Sequence, residues 1–404
     1  MSEDSLPFVT LHPVVDGSHR WRALVIEQAD NATAETTLAE LIHWLEHTDL
    51  HGALDGLPLV LPPFHRTALE NPVLDTLPAG QAILRVIGPG LDEQNVARID
   101  ALAARGVRTL LEDTVTNLTL RGVQGQSARC TGDSAPILSL APGPSGPHLA
   151  LGVDSPATFA ACSGDGWQWL SGNYPLAPQP AGKATGSGRA VMLTLLAQVT
   201  ADADTSEIEA TLKHDPQLSY QLLRLVNSSA LNLPKKISSF AQAIALLGRR
   251  QLQRWLQLLL FAQRGNGGVS PLMPRAAWRA GLMESLVSHS GAAEKIDAKL
   301  KDAAFMVGMF SLLEPLLGQP IADVVSQLNL DPAVVAALLQ REGRLGQLYK
   351  ICETAEACGG TLATRNAAKP LLLELLDAAA IGHEDWMRAQ VAAARWAVQI
   401  SREA

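Results

Sequence analysis

Cysteine, aromatic residues and positive charge are all scarce in this chain of 404 residues. The four cysteines, Cys130, Cys162, Cys352 and Cys358, include no C-x-x-C pair, which argues against a zinc site and predicts reduced thiols in a cytoplasmic protein. Aspartate and glutamate outnumber lysine and arginine by 40 to 32. The resulting formal net charge of −8 argues against direct binding to nucleic acid.

Long apolar runs are also missing. The longest, at 258–262 and 371–373, are far too short to span a bilayer. The opening segment MSEDSLPF is acidic and has no apolar core, so no signal peptide is expected. With 47% hydrophobic residues, the chain is expected to be globular and cytoplasmic, without a membrane partner.

Strand and helix patterns alternate over about the first 180 residues. FVTLHPVV and WRALVIE predict a β-hairpin whose turn is supplied by Asp16 and Gly17. LPLVL, AILRVI, VRTLLE, PILSL and HLALGV predict further strands. This alternation favours a mostly parallel α/β sheet that closes into a barrel. Because a complete eightfold barrel takes about 250 residues, a trimmed or incomplete barrel is expected.

A change of composition divides the chain. Residues 177–188, APQPAGKATGSG, are rich in proline, glycine and alanine and predict a flexible connector. Nearly every later segment has helical periodicity. We therefore predict an α/β domain at 1–180, a linker at 181–188 and an all-α domain at 189–404.

Residues 214–257 predict three consecutive short helices. Asp215 followed by Pro216 is a typical helix start, and Ser239 with Gln242 forms a capping box for the second helix. Gly248 suits the left-handed position that ends a helix. Because short helices cannot each bury a face alone, the three are expected to pack on one another.

Two runs within these helices, DPQLSYQLLRLVNSSAL and KKISSFAQAIALLGRRQLQRW, closely resemble the HDOD domain of bacterial signalling proteins. The resemblance continues more weakly to about Cys358. The order of segments upstream looks like an EAL domain that has lost most of its signature residues. The whole chain thus resembles the two-domain EAL–HDOD family. This resemblance implies a degenerate, trimmed EAL-like (β/α) barrel followed by an all-helical HDOD domain.

The EAL family cleaves cyclic di-GMP with divalent metals held by acidic and amide side chains at strand ends. The resemblance places Val25, Leu61, Arg85 and Leu151 where ligands are expected, although Glu27 lies two residues from Val25. None of these four positions offers an oxygen ligand that a hard cation would accept.

Glu112 and Asp113 look like the family's acidic pair and are our candidate ligand-binding residues in the barrel. One acidic pair cannot organise two cations. We therefore predict no catalysis, no metal and no cofactor in this domain.

HDOD domains resemble HD phosphohydrolases, which bind metals through histidines and a His-Asp pair. Here that pair falls at Ser311 and Leu312, and the preceding histidine position is Ala280. His289 lacks an acidic partner at metal-ligand spacing. A separate series of histidines spaced by four has no H-E-x-x-H pattern and is better explained by a helix end and loop. That series is His43, His47 and His51.

The densest basic cluster consists of Lys235, Lys236, Arg249, Arg250 and Arg254. One interpretation is a binding surface for an acidic protein partner or a phosphate. The other is a solvated face whose charges pair within the chain.

The sequence favours a non-catalytic signalling adaptor or scaffold that acts through protein–protein contacts of its HDOD domain. The alternative is a receptor that binds cyclic di-GMP without hydrolysing it, and a metal-dependent phosphodiesterase would need ligands that the sequence does not offer. The expected partners are signalling proteins, with an acidic surface if the basic cluster binds them. Self-association into a homo-oligomer stays open.

Overall fold

The computed structural model describes residues 8–29, 34–47, 50–112, 120–139, 147–177, 270–289, 298–328 and 330–403, together with scattered residues between 191 and 261. The chain forms two compact units. The first comprises Met1–Ala177, His289–Gly291 and Ile351–Val391. The second comprises Pro178–Ser288, Ala292–Lys350 and Ala392–Ala404.

The first unit contains a closed barrel of eight strands in sequence order. Strand β1 is antiparallel to both of its neighbours, β2 and β8, and all other neighbours pair in parallel. The strands are β1 (Val9–Val15), β2 (Trp21–Gln28), β3 (Leu59–Phe64), β4 (Ala82–Ile87), β5 (Arg108–Glu112), β6 (Val123–Arg129), β7 (Leu149–Leu151) and β8 (Trp169–Ser171).

The predicted hairpin is confirmed. Strands β1 and β2 pair in antiparallel fashion, and the turn is closed by a hydrogen bond from the Asp16 amide to the Arg20 carbonyl at 3.0 Å. The Asp16 carboxylate also accepts the amides of Ser18 and Arg20. These bonds satisfy the turn backbone and leave His19 in the left-handed region, at φ 63°.

Alternate residues of the strands fill the barrel interior. A layer of small and branched apolar side chains packs there because successive residues of a strand point to opposite faces. These residues are Val14, Ala23, Val25, Val60, Ile83, Leu110, Leu149 and Leu151.

Of the predicted trimmed or incomplete barrel, the incomplete alternative is wrong, because the ring of eight strands closes. One predicted strand is also wrong: within PILSL, residues 136–139 form no strand, and Ile137 is 83% exposed. Side chains hold this segment instead, since Gln126 donates to the Ile137 carbonyl and Trp167 donates to the Pro136 carbonyl. The strand between β5 and β7 is instead β6, VQGQSAR, whose polar composition gives no apolar strand pattern in the sequence.

Gly125 allows β6 to pack closely against the backbone that precedes β7. A Cβ atom there would lie 2.3 Å from the Pro147 carbonyl oxygen, so the close approach of the backbone requires glycine.

Short helices connect the strands of the first unit. The α-helices are α1 (Ala34–His47), α2 (Leu50–Ala53), α3 (Glu93–Ala104) and α4 (Pro156–Gly164), and the 3₁₀ turns are Arg66–Glu70, Pro72–Asp75 and Tyr174–Leu176. Asp92 and Asn95 form a capping box for α3, and Ser155 caps α4 immediately before a proline.

The described residues from 270 onward are mainly helical, as predicted. The helices described are α5 (Leu272–His289), α6 (Ala298–Phe310), α7 (Leu313–Leu317), α8 (Ile321–Ser326), α9 (Pro332–Gln340), α10 (Gly343–Ala357), α11 (Leu362–Ala378) and α12 (His383–Glu403). Asp331 caps α9 by accepting the Ala333 amide at 2.8 Å. No helix among the described residues combines the length and apolarity that a membrane span needs.

The predicted three-helix stretch at 214–257 lies almost wholly outside the described residues, as does the predicted linker at 181–188. The predicted boundaries at 180 and 189 therefore stay predictions. Contacts show, however, that Ile351–Val391 belongs to the same compact unit as the barrel, although it follows the HDOD-like run in sequence. We call Ile351–Val391 the capping segment.

Candidate functional site at the barrel mouth

Charged side chains replace the apolar layer at the carboxyl ends of the parallel strands. Glu27 follows Val25 by two residues on β2, Arg85 follows Ile83 on β4, and Glu112 ends β5. Since strand side chains alternate with a period of two, these residues point to the same interior as the core layer. Glu27 and Arg85 are each 1% exposed.

Three arginines surround the Glu27 carboxylate. Its Oε1 lies 2.6 Å from Arg129 Nη2 and 3.3 Å from Arg85 Nη2, and its Oε2 lies 2.9 Å from Arg365 Nε. The Arg365 N–H is not aimed at the oxygen, so this contact is an ion pair rather than a directed hydrogen bond. Burial raises the pKa of Glu27, but the guanidiniums of Arg129, Arg85 and Arg365 outweigh burial and lower the pKa to about 2.

Arg85 connects the two carboxylates of the mouth. Its Nε donates to the Leu61 carbonyl at 2.8 Å, and its Nη1 lies 3.6 Å from Glu112 Oε2. The Ser127 hydroxyl donates to the same Glu112 oxygen. A buried guanidinium thus lies between Glu27 and Glu112.

The capping segment covers the mouth. Arg129 donates to the Gly360 carbonyl at 2.6 Å, and the Thr361 amide donates to Asp154 Oδ2 at 3.0 Å. Asn173 donates its amide to Asp154 Oδ1 and its side-chain Nδ2–H to the Glu356 carbonyl. Arg365, which contacts Glu27, belongs to helix α11 of the same segment.

Glycines allow this close approach. A Cβ atom on Gly359 would lie 2.5 Å from His12 Nδ1, and one on Gly360 would lie 2.8 Å from Asp154 Oδ2. Gly152 faces Gly360 from the barrel side and has φ +66°, a conformation that disfavours other residues.

Helix α12 completes the cover at the edge of β1. The Gln390 side chain accepts the Leu11 amide at 2.9 Å and donates to the Val9 carbonyl at 2.9 Å, as a neighbouring strand would. Trp386 donates its indole N–H to the same carbonyl at 2.8 Å. Strand β1 pairs with β8 only through Val15 and Leu170. The side-chain amide of Gln390 therefore satisfies backbone groups of β1 that the short β8 leaves unpaired.

The formal charges at the mouth balance. Three guanidiniums, from Arg85, Arg129 and Arg365, are matched by three carboxylates, from Glu27, Glu112 and Asp154. Among the described residues, no group of three or more His, Cys, Asp or Glu side chains is arranged to hold a metal ion. Both Glu27 oxygens already contact guanidiniums, so the residues that the structure describes at the mouth do not fit a site for two divalent cations.

The second unit has its own polar cluster, on helices α5 and α6. Arg279, which is 4% exposed, donates to the Ser311 hydroxyl at 2.8 Å, and Ser311 donates to the Gly308 carbonyl. A Cβ atom on Gly308 would lie 2.5 Å from the Ala280 Cα, so these helices cross closely. The Arg279 guanidinium also lies 5.6 Å from the centre of the Tyr349 ring.

The second unit contains most of a segment that matches a known protein family. Residues 189–316 match the model of the HDOD domain. The chain therefore contains an HDOD domain. The match confirms the part of the resemblance that the helical runs predict.

Two curated relatives match part of the chain. One is the "Uncharacterized protein YuxH" of Bacillus subtilis, 32% identical over 149 residues, which cover 36% of this chain and 35% of the relative. The other is the "Cyclic di-GMP phosphodiesterase CdgJ" of Vibrio cholerae, 30% identical over 201 residues, which cover 50% of this chain and 43% of the relative. The chain spans less than half the length of the curated relatives it matches.

A solved HDOD domain protein of unknown function from Geobacter sulfurreducens is also similar. The match is 12% identical, covers 50% of this chain and 90% of that one, and has a TM-score of 0.27.

In the HDOD domain, two of the positions at which the resemblance places metal ligands, Ala280 and Ser311, lie close together. Ala280 on α5 is buried against Gly308 of α6, and Ser311 follows α6. The Arg279 guanidinium contacts Ser311, so a permanent positive charge occupies this place. The side chain of His289 lies outside those described.

Of the predicted basic cluster, the structure describes only Arg254. Its guanidinium forms ion pairs with Glu284 and, at 3.1 Å, with Asp302, and it lies 4.4 Å from the centre of the Phe305 ring. Arg254 therefore contacts acidic side chains of its own chain. The remaining members lie outside the described residues and stay predictions: Lys235, Lys236, Arg249 and Arg250.

The predicted acidic pair is described in part. Glu112 lies at the mouth, and Asp113 lies outside the described residues. The family resemblance favoured Val25 as the first ligand position, yet Val25 belongs to the apolar layer and Glu27 reaches the mouth. His43 is exposed on α1, and the side chains of His47 and His51 are not among those described.

Sequence reasoning missed Arg129 and Arg365. Arg129 ends β6, the strand that the apolar pattern did not reveal, and Arg365 comes from a helix assigned to the other domain. The sequence feature that could have pointed to Arg365 is the pair Gly359-Gly360 just before its helix, because paired glycines often mark a close approach of the backbone to another segment.

Proposed function

We propose that this chain is a signal-transduction protein that does not cleave cyclic di-GMP and acts through protein contacts of its HDOD domain. We further propose that the barrel is a degenerate EAL-like module that supports this domain. The observation that carries the proposal is the environment of Glu27: its carboxylate is buried and forms ion pairs with three arginines beneath the capping segment.

The physical argument concerns charge. An EAL-type reaction needs divalent cations on carboxylates at the barrel mouth. A cation beside Glu27 would sit among the guanidiniums of Arg85, Arg129 and Arg365 and be repelled at short range. Glu112 is likewise shared with Arg85 and Ser127. The arginines supply the positive charge that metal ions would supply in an active EAL-type site. A guanidinium, unlike a metal ion, does not coordinate and activate a water molecule for hydrolysis.

The relatives support a signalling role in general terms. One of them is named a cyclic di-GMP phosphodiesterase, and HDOD domains occur in bacterial signalling proteins. Because the matched region covers 43% of that relative, its activity is not carried over to this chain.

The decisive experiment is a hydrolysis assay. Purified protein is incubated with cyclic di-GMP and Mg²⁺ or Mn²⁺, with the Vibrio cholerae relative as a positive control. We expect no turnover above a sample treated with chelator. Metal-dependent turnover that is lost in Glu27→Gln and retained in Glu70→Gln, a change of an exposed residue, would overturn the proposal.

One observation favours the alternative of a receptor. Arg129 and Arg365 keep 10% and 17% of their side chains accessible at the mouth. Such guanidiniums can bind phosphate. Calorimetric titration with cyclic di-GMP tests this alternative: saturable binding that Arg129→Ala weakens about tenfold or more supports a receptor, and no heat at millimolar ligand supports the adaptor.

A further inference from the structure

Two cysteines that take no part in the barrel mouth lie in contact with each other. Cys130 directly follows β6, and Cys162 lies in helix α4. Their sulfur atoms are 3.9 Å apart, and both residues are fully buried. The chain brings these two thiols together across 32 residues of sequence.

Backbone hydrogen bonds fix both cysteines. The Cys130 amide donates to the Leu151 carbonyl at 2.8 Å, which continues the pairing of β6 with β7. The Cys162 carbonyl accepts the Trp167 amide at 3.0 Å. The sulfurs of a disulfide lie about 2.05 Å apart, so the two sulfurs need to approach by roughly 1.9 Å to form one.

The two thiols are chemically unequal. The hydrogen bond that the two sulfurs share raises the pKa of Cys130, and burial raises it further. That hydrogen bond lowers the pKa of Cys162, although burial opposes it. Since the thiolate is the reactive form, Cys162 is the expected nucleophile and Cys130 the resolving thiol.

We propose that Cys130 and Cys162 form a redox pair that a peroxide oxidises to an intramolecular disulfide. The Cys162 thiolate attacks one peroxide oxygen, the O–O bond breaks, and a sulfenic acid forms as hydroxide leaves and takes up a proton. The Cys130 sulfur then attacks the Cys162 sulfur, and the sulfenic hydroxyl leaves as water with the Cys130 proton. Two thiols and one hydrogen peroxide give one disulfide and two waters.

The pair is placed to affect the mouth. Cys130 is adjacent in sequence to Arg129, which contacts both Glu27 and the Gly360 carbonyl. A covalent bond from Cys130 to α4 therefore acts one residue from the contact between the barrel and the capping segment. Because both thiols are buried, the oxidant reaches them by local opening of α4, a helix of 9 residues, and reaction is expected to be slower than for an exposed thiol.

The test uses the full-length reduced protein. After treatment with hydrogen peroxide, remaining thiols are alkylated in denaturant and the protein is analysed by intact mass and peptide mapping. We expect an intact mass that is lower than that of the reduced, alkylated protein by two alkyl groups and about 2 Da for the two hydrogens lost, a cross-linked peptide pair containing Cys130 and Cys162, and full reversal by dithiothreitol. Cys352 and Cys358 serve as internal controls, because they are equally buried and burial raises the pKa of Cys358 to about 11.

Variants define the roles. In Cys130→Ser, we expect no intramolecular disulfide and a sulfenic acid on Cys162 that dimedone traps; in Cys162→Ser, we expect neither product. The proposal is overturned if the wild-type protein keeps both thiols free after peroxide treatment, or if Cys352 and Cys358 oxidise as fast as the pair. These outcomes are read on the wild-type chain, so they hold even if a variant folds poorly.

Discussion

Arg365 Nε lies 2.9 Å from Glu27 Oε2, although one residue belongs to the second strand of the barrel and the other to a helix near the end of the chain. This contact joins two segments that are separated in sequence by the whole HDOD domain. The HDOD domain is therefore inserted, in chain order, between two parts of one compact unit.

Loss of Arg365 should destabilise the barrel unit. Removing one partner of a buried ion pair costs about 3–5 kcal/mol, and because Arg85 and Arg129 still hold Glu27, we expect Arg365→Ala to lower the free energy of unfolding by about 2 kcal/mol. The matched control is Arg388→Ala, which breaks the exposed pair with Glu384 and should cost below about 1 kcal/mol. Urea denaturation measures both. Equal costs for the two variants would contradict a structural role of Arg365.

The pH dependence of stability should carry the signature of Glu27. Its pKa is about 2 in the folded protein against 4.5 ordinarily, so its stabilising contribution is complete above pH 4.5 and is lost as the pH falls toward 2. The whole effect corresponds to about 3 kcal/mol. The measurement is the difference in free energy of unfolding between wild type and Glu27→Gln, followed from about pH 6 down to the acid limit of folding.

That difference should shrink as the pH falls below about 4.5. As a control, Glu70→Gln removes an exposed carboxylate and should differ from wild type by less than about 0.5 kcal/mol throughout. A Glu27→Gln difference that stays constant with pH would show that Glu27 is not held ionised by its arginines.

Cleavage of the predicted linker should not separate the two fragments. A specific protease site placed between 181 and 188 would yield an N-terminal barrel piece and a C-terminal piece that includes the capping segment. Since Gly360, Thr361, Gln390 and Arg365 contact the barrel, we expect the fragments to co-elute in size-exclusion chromatography under native conditions. Separation without denaturant would contradict the contacts of the capping segment.

Gly152 tests the fit between the barrel and the capping segment. An added Cβ would lie 2.9 Å from the Gly360 carbonyl oxygen, and φ +66° strains any other residue, so Gly152→Ala should cost about 2–4 kcal/mol. Gly164→Ala is the control, because a Cβ there has nothing within 4 Å and alanine is favoured over glycine in a helix. The melting temperature of the Gly152 variant should be several degrees below that of the Gly164 variant. A Gly152 variant as stable as the Gly164 variant would show that the interface can relax.

The basic cluster of the HDOD domain yields a prediction about partner binding. Because Arg254 is paired with Glu284 and Asp302, it should be retained, and only Arg249 and Arg250 should be changed to glutamate. Like charges facing each other across an interface cost several kcal/mol, so Arg249→Glu/Arg250→Glu should lose capture of an acidic native partner while its melting temperature stays close to wild type. Arg388→Glu is the control for a charge reversal on an exposed arginine. Unchanged capture would favour the solvated-face interpretation.

Local sequence determined much of the fold. Asp16 and Gly17 specified the hairpin, Asp92 and Asp331 began their helices, and the HDOD runs are long enough to identify that domain from the sequence alone. These features depend on neighbours in the chain, through turn conformation, capping hydrogen bonds and helical periodicity. Glycine, aspartate and proline at fixed spacings are sufficient signals for them.

The tertiary structure alone decided the site. The polar strand VQGQSAR gives no apolar signal, yet its neighbours in the closed ring hold it as β6 and bring Arg129 to Glu27. Arg365 reaches the same carboxylate from a helix that periodicity assigns to another domain. A sequence pattern reports which face a residue occupies within its own element, but the partner across that face depends on how distant elements pack. That is why the alternation of strand and helix patterns predicted a barrel without showing which residues close its mouth.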